Sequence, residues 1–258
     1  MFPRLEAALL TRPPRLLHRL LPGAEWAGPG ADAAGRPAVY LTFDDGPIPE
    51  QTPWVLAQLA QYQALATFFC VGENLLRHPE IALAALAAGH CLANHTQQHR
   101  SAWAQPAAAY LAGVTACQQV LDELVLAHEK AQLTPGAAGA TGPLPPAAGV
   151  PGSPSPPAPP PAPAAGPKPL FRPPYGRLTR PLLAALRPGY RVVLWSLLTR
   201  DYDPALAPAD CLRYALAAVQ PGDIIVLHDS QKAAPRLRFV LPRLLEALAQ
   251  RGYQFAAL

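Results

Sequence analysis

Short hydrophobic runs alternate with longer amphipathic runs along most of this chain, and this alternation narrows the available folds more than any other feature. The pattern predicts seven β-strands, at residues 38–43, 66–71, 91–94, 170–172, 191–196, 223–227 and 253–258. It predicts six α-helices between them, at 52–61, 79–88, 106–131, 179–186, 208–219 and 237–250. Strands separated by helices form parallel βαβ units, so we expect an α/β fold, either a doubly wound sheet or a (β/α) barrel, complete or incomplete.

The length of the chain suits one such domain with a single interruption. Its 258 residues, 50% of them hydrophobic, are enough to close a sizeable core. Residues 134–169 are almost entirely Pro, Ala, Gly and Ser, a composition that neither forms a helix nor buries a core. We interpret them as a disordered insertion in one loop of a domain spanning 38–258. Residues 1–37 are expected to be an N-terminal extension that packs on the domain.

Charge and hydropathy argue against two kinds of partner. The formal net charge is +4, only 15% of the residues are charged, and the chain has no long basic run, so we expect no nucleic-acid partner. No stretch reaches the roughly 18 apolar residues of a spanning helix, and the N-terminus lacks the apolar region of a signal peptide. We therefore expect no transmembrane segment and a cytoplasmic location, with export left open if the gene start is misassigned. Protein partners stay unknown at this point.

Two polar motifs follow the first and third predicted strands. Asp44 and Asp45 are adjacent at a strand end, so their side chains point to different sides. His95 and His99 are four residues apart, a spacing that places both imidazoles on the same side of a helical turn, where they can bind one divalent ion. With Asp45 they would form a facial set of two histidines and one carboxylate that leaves coordination positions open. Taken singly, the Asp pair is equally compatible with a turn and the His pair with a chance surface pair.

Three further motifs follow later strands. Residues 171–176 (Phe-Arg-Pro-Pro-Tyr-Gly) open a loop in which Arg172 can hold a carboxylate in place. Trp195 and Asp201 lie beyond the fifth strand, and residues 227–229 (Leu-His-Asp) end the sixth. All five motifs lie at the carboxyl ends of predicted strands, which is where parallel α/β folds assemble their active sites.

In this order the five motifs resemble those of the polysaccharide deacetylase family, the NodB-homology domains of carbohydrate esterase family 4. The resemblance covers nearly all of residues 39–258 apart from the insertion. It implies a deformed (β/α) barrel and a divalent metal cofactor, most often Zn²⁺. It also implies a hydrolase that removes N-acetyl groups from an acetylated amino-sugar glycan, an oligo- or polysaccharide containing N-acetylglucosamine.

The resemblance also implies a role for each motif residue. Asp44 is similar to the general base of the family, and the metal ligands would be Asp45, His95 and His99. Arg172 would orient Asp44, and the backbone N–H of Tyr175 would help to hold the oxyanion. His228 would be the general acid, tuned by Asp201. The expected substrate contacts come from Tyr175, Trp195, Tyr202 and Leu227.

Two positions depart from the family pattern. Leu198 stands where many members carry Asp, and Tyr202 stands where they carry Trp, so the sugar preference stays open. Two alternative functions also stay open. One is an O-deacetylase of acetylxylan-type esters, because metal, base and oxyanion donor serve esters equally well. The other is a catalytically inactive glycan-binding module.

Overall fold

The computed structural model describes residues 11–133 and 167–258. Residues 1–10 of the expected N-terminal extension and 134–166 of the expected insertion lie outside the described residues. The strands are β1 (Ala38–Asp44), β2 (Ala66–Cys70), β3 (Cys91–Asn94), β4 (Leu170–Phe171), β5 (Arg191–Val192), β6 (Leu197–Leu198), β7 (Ile224–His228) and β8 (Gln254–Phe255). The helices are α1 (Arg15–His18), α2 (Gln51–Ala60), α3 (Gly72–Arg77), α4 (Pro79–Ala87), α5 (Ala107–Leu133), α6 (Arg180–Leu186), α7 (Pro208–Ala218) and α8 (Ala234–Gln250).

The strands form one parallel sheet that curls into a deformed barrel. Their order is β5-β4-β3-β2-β1-β7-β6, and β8 pairs with the start of β1. β5 and β6 are at opposite edges of this sheet, yet only residues 193–196 separate them along the chain. Because β5 pairs with β4 and β6 pairs with β7, the run from 191 to 198 joins the two edges. The fold is therefore the α/β deformed barrel expected from the resemblance.

The predicted strand at 191–196 is the element that differs most from its prediction. It is interrupted because its central backbone groups form hydrogen bonds with segments that are not neighbouring strands. The Leu194 N–H donates to the carbonyl of Glu25, and the Leu194 carbonyl accepts from the Arg172 guanidinium. α3 was not predicted, since its six residues are too few to show a helical period. The last strand is shorter than predicted and comprises only Gln254–Phe255.

Alternation of side chains along the central strands separates two environments. In β1, Leu41 and Phe43 belong to the core between the sheet and the helices. Thr42 and Asp44 point into the barrel, where both contact the side chain of Arg172. The apolar face of α8 covers the outside of the sheet, and each of its fully buried leucines stabilises the fold by about 2 kcal/mol.

The described part of the N-terminal extension contacts the barrel. Leu21 is buried in a core cluster with residues of α6. Glu25 pairs with Val193 in a parallel β-bridge and accepts two hydrogen bonds from the Arg191 side chain, at 2.8 and 2.9 Å. Within residues 11–133 and 167–258, none of the helices has both the length and the hydrophobicity needed to cross a bilayer.

Candidate active site

Four of the five motifs meet at the carboxyl ends of β1, β3, β4 and β7. Asp44 ends β1, and its Oδ2 lies 3.9 Å from Nε2 of His95, which follows β3. Arg172 follows β4 and donates to Asp44. His228 ends β7, whose register places it directly beside Asp44. Parallel strands thus bring together residues that are more than a hundred positions apart in the chain.

Asp45, His95 and His99 form a compact set of potential metal-ligand atoms. One ligand atom from each lies within 4.8 Å of the other two. Nε2 of His99 is 3.2 Å from Oδ1 of Asp45, and the two imidazole centroids are 4.9 Å apart. Zinc bonds to histidine and carboxylate are about 2.0–2.2 Å long, so atoms grouped this closely lie within reach of one ion. The three residues expected from the sequence to bind one metal ion therefore lie close together.

The protonation state of His95 fits a metal ligand. Its Nδ1 is 2.8 Å from the carbonyl oxygen of Arg172, and because a carbonyl only accepts, Nδ1 carries the proton. Burial lowers the pKa of His95 to about 4, so the ring is neutral at pH 7. The lone pair of Nε2 is therefore available on the side of Asp45 and His99. Neutral imidazoles and a carboxylate are donors that a divalent metal ion prefers, and these residues fit such an ion.

The two histidines do not lie on a helical turn as predicted. They occupy an irregular loop after β3 in which Thr96 and His99 have φ of 68° and 52°. Oδ1 of Asn94 accepts the backbone N–H of Thr96 at 2.9 Å and holds the first bend. Asp45 also has a left-handed φ, of 83°. Such conformations are uncommon outside glycine and occur most often at functional sites, where the surrounding structure imposes them.

Asp44 is held by a buried arginine. Nη1 of Arg172 donates to Oδ1 of Asp44 at 2.7 Å and to the hydroxyl of Thr42 at 2.8 Å. Arg172 has no exposed surface, and its guanidinium carbon lies 3.9 Å from the ring centroid of Phe69. Burial alone would raise the pKa of Asp44, but the positive charge of Arg172, with smaller effects from His95 and His228, holds this pKa below its usual value. Asp44 is therefore ionised at neutral pH.

His228 has the opposite protonation behaviour and is held in its protonated form. Its Nδ1 donates to Oδ1 of Asp201 at 2.8 Å, and its backbone N–H donates to Oδ2 of the same carboxylate at 2.8 Å. Burial alone would lower the pKa of His228, but Asp201, followed by Asp45 and Asp44, raises it to about 9. With Nδ1 occupied by Asp201, Nε2 is the nitrogen left to donate.

The loop after β4 places Tyr175 beside the metal-ligand set. Its ring centroid lies 4.7 Å from that of His99, and its φ is 60°. Within residues 11–133 and 167–258 its backbone N–H donates to no carbonyl outside its own short turn, which is compatible with the predicted role as oxyanion donor. Gly176 follows without a side chain, because a Cβ atom there would lie 2.5 Å from the indole of Trp195. The role of the Tyr175 N–H stays a prediction.

The predicted substrate contacts fall into different environments. Tyr175 is 60% exposed, and Tyr202 lies beside His228 with ring centroids 5.0 Å apart. Trp195 is half-buried between the Gly176 turn and two core clusters. Leu227 was predicted wrongly: it has no exposed surface and belongs to the core beneath the helices. It precedes His228 in β7, so strand alternation turns it to the face away from the site.

Sequence reasoning assigned no role to Asp229, although the structure gives it one. Its Oδ1 accepts the backbone N–H of Gly46 at 3.0 Å, and its Oδ2 accepts the hydroxyl of Thr52 at 2.5 Å. It is fully buried, and a Cβ atom at Gly46 would lie 2.1 Å from it. Asp229 thus holds the turn that carries Asp45. The triplet Leu-His-Asp was visible in the sequence, but the partners of the last carboxylate were not.

A parallel barrel that carries a candidate metal-ligand set between an ionised carboxylate and a protonated imidazole has the features of an α/β hydrolase. The family model for polysaccharide deacetylases matches residues 31–140. Together with the similarity to a relative described next, this match shows that the chain belongs to the polysaccharide deacetylase family.

Known relatives cover most of the chain. A chitooligosaccharide deacetylase from Bradyrhizobium sp. (strain ANU 289) is 32% identical over 86% of this chain and 90% of its own length. A peptidoglycan N-acetylglucosamine deacetylase from Bacillus cereus is 28% identical over 84% of each chain. Among solved structures, a peptidoglycan N-acetylglucosamine deacetylase superposes with a TM-score of 0.68 at 24% identity, covering 95% of this chain and 94% of the other. This structural similarity supports the assignment of the fold.

Proposed function

We propose that this protein removes N-acetyl groups from oligo- or polysaccharides that contain N-acetylglucosamine, with Zn²⁺ as its metal. The relatives that cover most of the chain are deacetylases of chitooligosaccharides and of peptidoglycan N-acetylglucosamine, which supports the substrate class. The observation that carries the mechanism is a pair of contacts in neighbouring strands: Arg172 donates to Asp44 and keeps it ionised, and His228 donates to Asp201, which keeps it protonated.

Asp45, His95 and His99 would hold the metal ion. When bound, the ion supplies Lewis acidity, which polarises the acetyl carbonyl and makes water a better nucleophile at neutral pH. The buried, neutral His95 needs no deprotonation before it binds a cation. Two histidines and one carboxylate match zinc sites that keep positions open for water and substrate.

Asp44 acts as the general base. Its Oδ1 is occupied by Arg172, so Oδ2 is the oxygen available to accept a proton from the attacking water. The oxygen of that water forms a bond to the acetyl carbon. Arg172 keeps the carboxylate ionised and fixes its orientation, which removes the cost of arranging it during the reaction.

His228 acts as the general acid. Breaking the C–N bond releases an amine, a poor leaving group unless its nitrogen is protonated as the bond breaks. The imidazolium, stabilised by Asp201, supplies that proton from Nε2, and the products are acetate and the free amino sugar. The backbone N–H of Tyr175 donates a hydrogen bond to the oxyanion that develops on the acetyl oxygen.

An ester leaving group depends less on a proton donor, so the retained His228–Asp201 pair favours amide substrates over acetylxylan-type esters.

Acetate release tests the proposal. Zinc-loaded protein should release acetate from N-acetylated chito-oligosaccharides, and Asp44→Asn should lose at least about a hundredfold in kcat while retaining zinc. Asp210→Asn is a matched control, since Asp210 is an exposed carboxylate paired with Arg213 on α7. Glycan binding without acetate release from any amide or ester substrate would support the inactive binding module instead.

A further inference from the structure

Three exposed side chains form a row that leads outward from the metal-ligand set: Tyr175, Arg177 and Trp103. The Tyr175 ring lies 4.7 Å from His99. The guanidinium carbon of Arg177 lies 5.5 Å from the Tyr175 ring centroid and 5.1 Å from that of Trp103. We call Trp103, Arg177 and Tyr175 the outer row. It begins beside a metal ligand and ends on the open surface.

The aromatic members of the outer row contribute little to the core. Trp103 is 65% exposed and Tyr175 is 60% exposed, and they are the two large aromatic side chains in the described residues that are mostly accessible. Exposed apolar surface beside a site is a common feature of ligand-binding grooves. Flat aromatic rings suit the C–H faces of sugar rings, which are apolar although the sugar edges carry hydroxyl groups.

The backbone that carries the outer row is fixed before any substrate binds. The N–H of Trp103 donates to the hydroxyl of Ser101 at 3.3 Å, and the N–H of Arg177 donates to the carbonyl of Pro174 at 3.1 Å. Packing of Trp195 against Gly176 holds the same turn from below. A surface with this support loses little conformational entropy when it binds a sugar ring.

Two basic side chains near the site have no carboxylate partner among the described residues. Within residues 11–133 and 167–258, Arg177 has no ion-pair partner. On the His228 side, Lys232 lies 5.7 Å from the Tyr202 ring and likewise has no such partner. Asp203, an acid near this side, pairs with Arg200 at 2.6 Å. The rim therefore favours a ligand with negative charge.

We propose that the outer row binds a further sugar ring of the substrate, on the His99 side of the ring that is deacetylated, and that this further ring carries a carboxylate. Trp103 would contact the apolar face of the ring and Arg177 would pair with the carboxylate. A neutral polymer of N-acetylglucosamine would use the aromatic rings but leave Arg177 without a counter-charge. The inference rests on the proposed deacetylase function and specifies its substrate class as a carboxylate-bearing, N-acetylglucosamine-containing glycan.

The test compares two glycans of equal length. One is a peptide-free peptidoglycan strand, in which alternate sugars carry a free lactyl carboxylate, and the other is a neutral chito-oligosaccharide. We measure kcat/KM for acetate release from each with zinc-loaded wild type, Arg177→Gln, Trp103→Ala and Arg243→Gln. Arg243 is the matched control, because it stacks on Phe239 with its guanidinium carbon 4.0 Å from the ring, on the exposed face of α8.

Arg177→Gln should lower the ratio of kcat/KM for the acidic glycan to that for the neutral one about three- to fivefold, the size expected for one exposed ion pair. Added salt should lower the same ratio in wild type and have less effect in Arg177→Gln. Trp103→Ala should raise KM for both glycans, and Arg243→Gln should leave the ratio unchanged. An unchanged ratio in Arg177→Gln, with both glycans still deacetylated, overturns the inference alone. No acetate release from either glycan by wild type overturns the proposed function on which it rests.

Discussion

The guanidinium of Arg172 and the carboxylate of Asp44 are 128 positions apart in the chain and 2.7 Å apart in the barrel. Both side chains are buried, and Arg172 has no exposed surface at all. Two charges removed from water in this way are stable only as a pair, because either one alone would lie uncompensated in a poorly polarisable interior. The pair therefore serves the fold and the chemistry together: it closes the barrel interior and keeps Asp44 ionised.

Removing the arginine should be costly to the whole molecule. Arg172→Gln leaves Asp44 buried without its counter-charge, so we expect a loss of about 3–5 kcal/mol in the free energy of unfolding and almost complete loss of turnover. Arg191→Gln is the matched control, because Arg191 pairs with Glu25 near the surface and its loss should cost no more than about 1 kcal/mol. Urea denaturation of both variants measures the difference. Equal and small losses would contradict the buried-pair argument.

The metal-ligand assignment predicts losses of bound zinc. His95→Ala or His99→Ala removes one of three protein ligands, so each should weaken zinc affinity at least about tenfold. The zinc content at a fixed free zinc concentration should fall accordingly. His78→Ala is the control, since His78 lies outside the set, near Glu80 on α4. Metal analysis after dialysis reads this out independently of activity. Zinc retention at wild-type levels in both variants would exclude the assignment.

The His228–Asp201 pair predicts the alkaline side of the pH profile. In the proposed mechanism His228 acts in its protonated form, and its pKa of about 9 should place the alkaline fall of kcat/KM near pH 9. In Asp201→Asn the carboxylate that raises this pKa is gone while burial still lowers it, so the fall should move towards pH 6.5 or below. A profile that is the same in both proteins would remove His228 from the role of acid.

The same pair predicts a pH-dependent part of the stability. Because the folded-state pKa of His228 is raised above 6.5, the interaction stabilises the fold fully below pH 6.5, and this contribution is lost as the pH rises through about 9. The difference in melting temperature between wild type and Asp201→Asn should therefore shrink from pH 6 to pH 10. Thermal melts across that range provide the measurement, and a constant difference would contradict the linkage.

Asp229 is predicted to be a positioning residue for Asp45. Asp229→Ala leaves the Gly46 N–H and the Thr52 hydroxyl without their acceptor, at about 1–3 kcal/mol for each buried group. We expect lower zinc affinity as well as lower stability, because the turn that carries Asp45 loosens. Thr52→Val separates the two effects, since it removes the hydroxyl but leaves the Gly46 contact in place. The prediction is wrong if Asp229→Ala binds zinc with wild-type affinity.

Much of the fold was predictable because its signals are local. β1 and β7 are continuous hydrophobic runs, and their predicted bounds differ from the observed ones by a residue at most. Asp44 and His228 end those strands, and the general rule about the carboxyl ends of parallel strands placed them at one edge. The helix at 79–88 also begins at its predicted residue, because Pro79 occupies the first helical turn.

The errors occurred where local pattern and long-range contact disagree. The spacing of His95 and His99 was compatible with a helical turn, but the bond from Thr96 to Asn94 produces a left-handed bend instead. Leu227 stands next to a site residue in the sequence, yet strand alternation buries it on the opposite face. The strand predicted at 191–196 is broken because contacts with Glu25 and Arg172 use its central backbone groups.

The sequence by itself determined the parallel α/β class, the edge of the sheet that carries the chemistry and the residue types that meet there, because each depends on periodicity and on strand ends. The choice of a barrel over a doubly wound sheet came from the resemblance of the five motifs to a known family. Only the tertiary structure decided which partner each polar group has: Arg172 for Asp44, Asp201 for His228, and Gly46 and Thr52 for Asp229. These partners set the protonation states, since a pKa depends on burial and on charges a few ångströms away. Distances of that kind follow from how strands remote in the chain pack together, and a linear sequence does not display them.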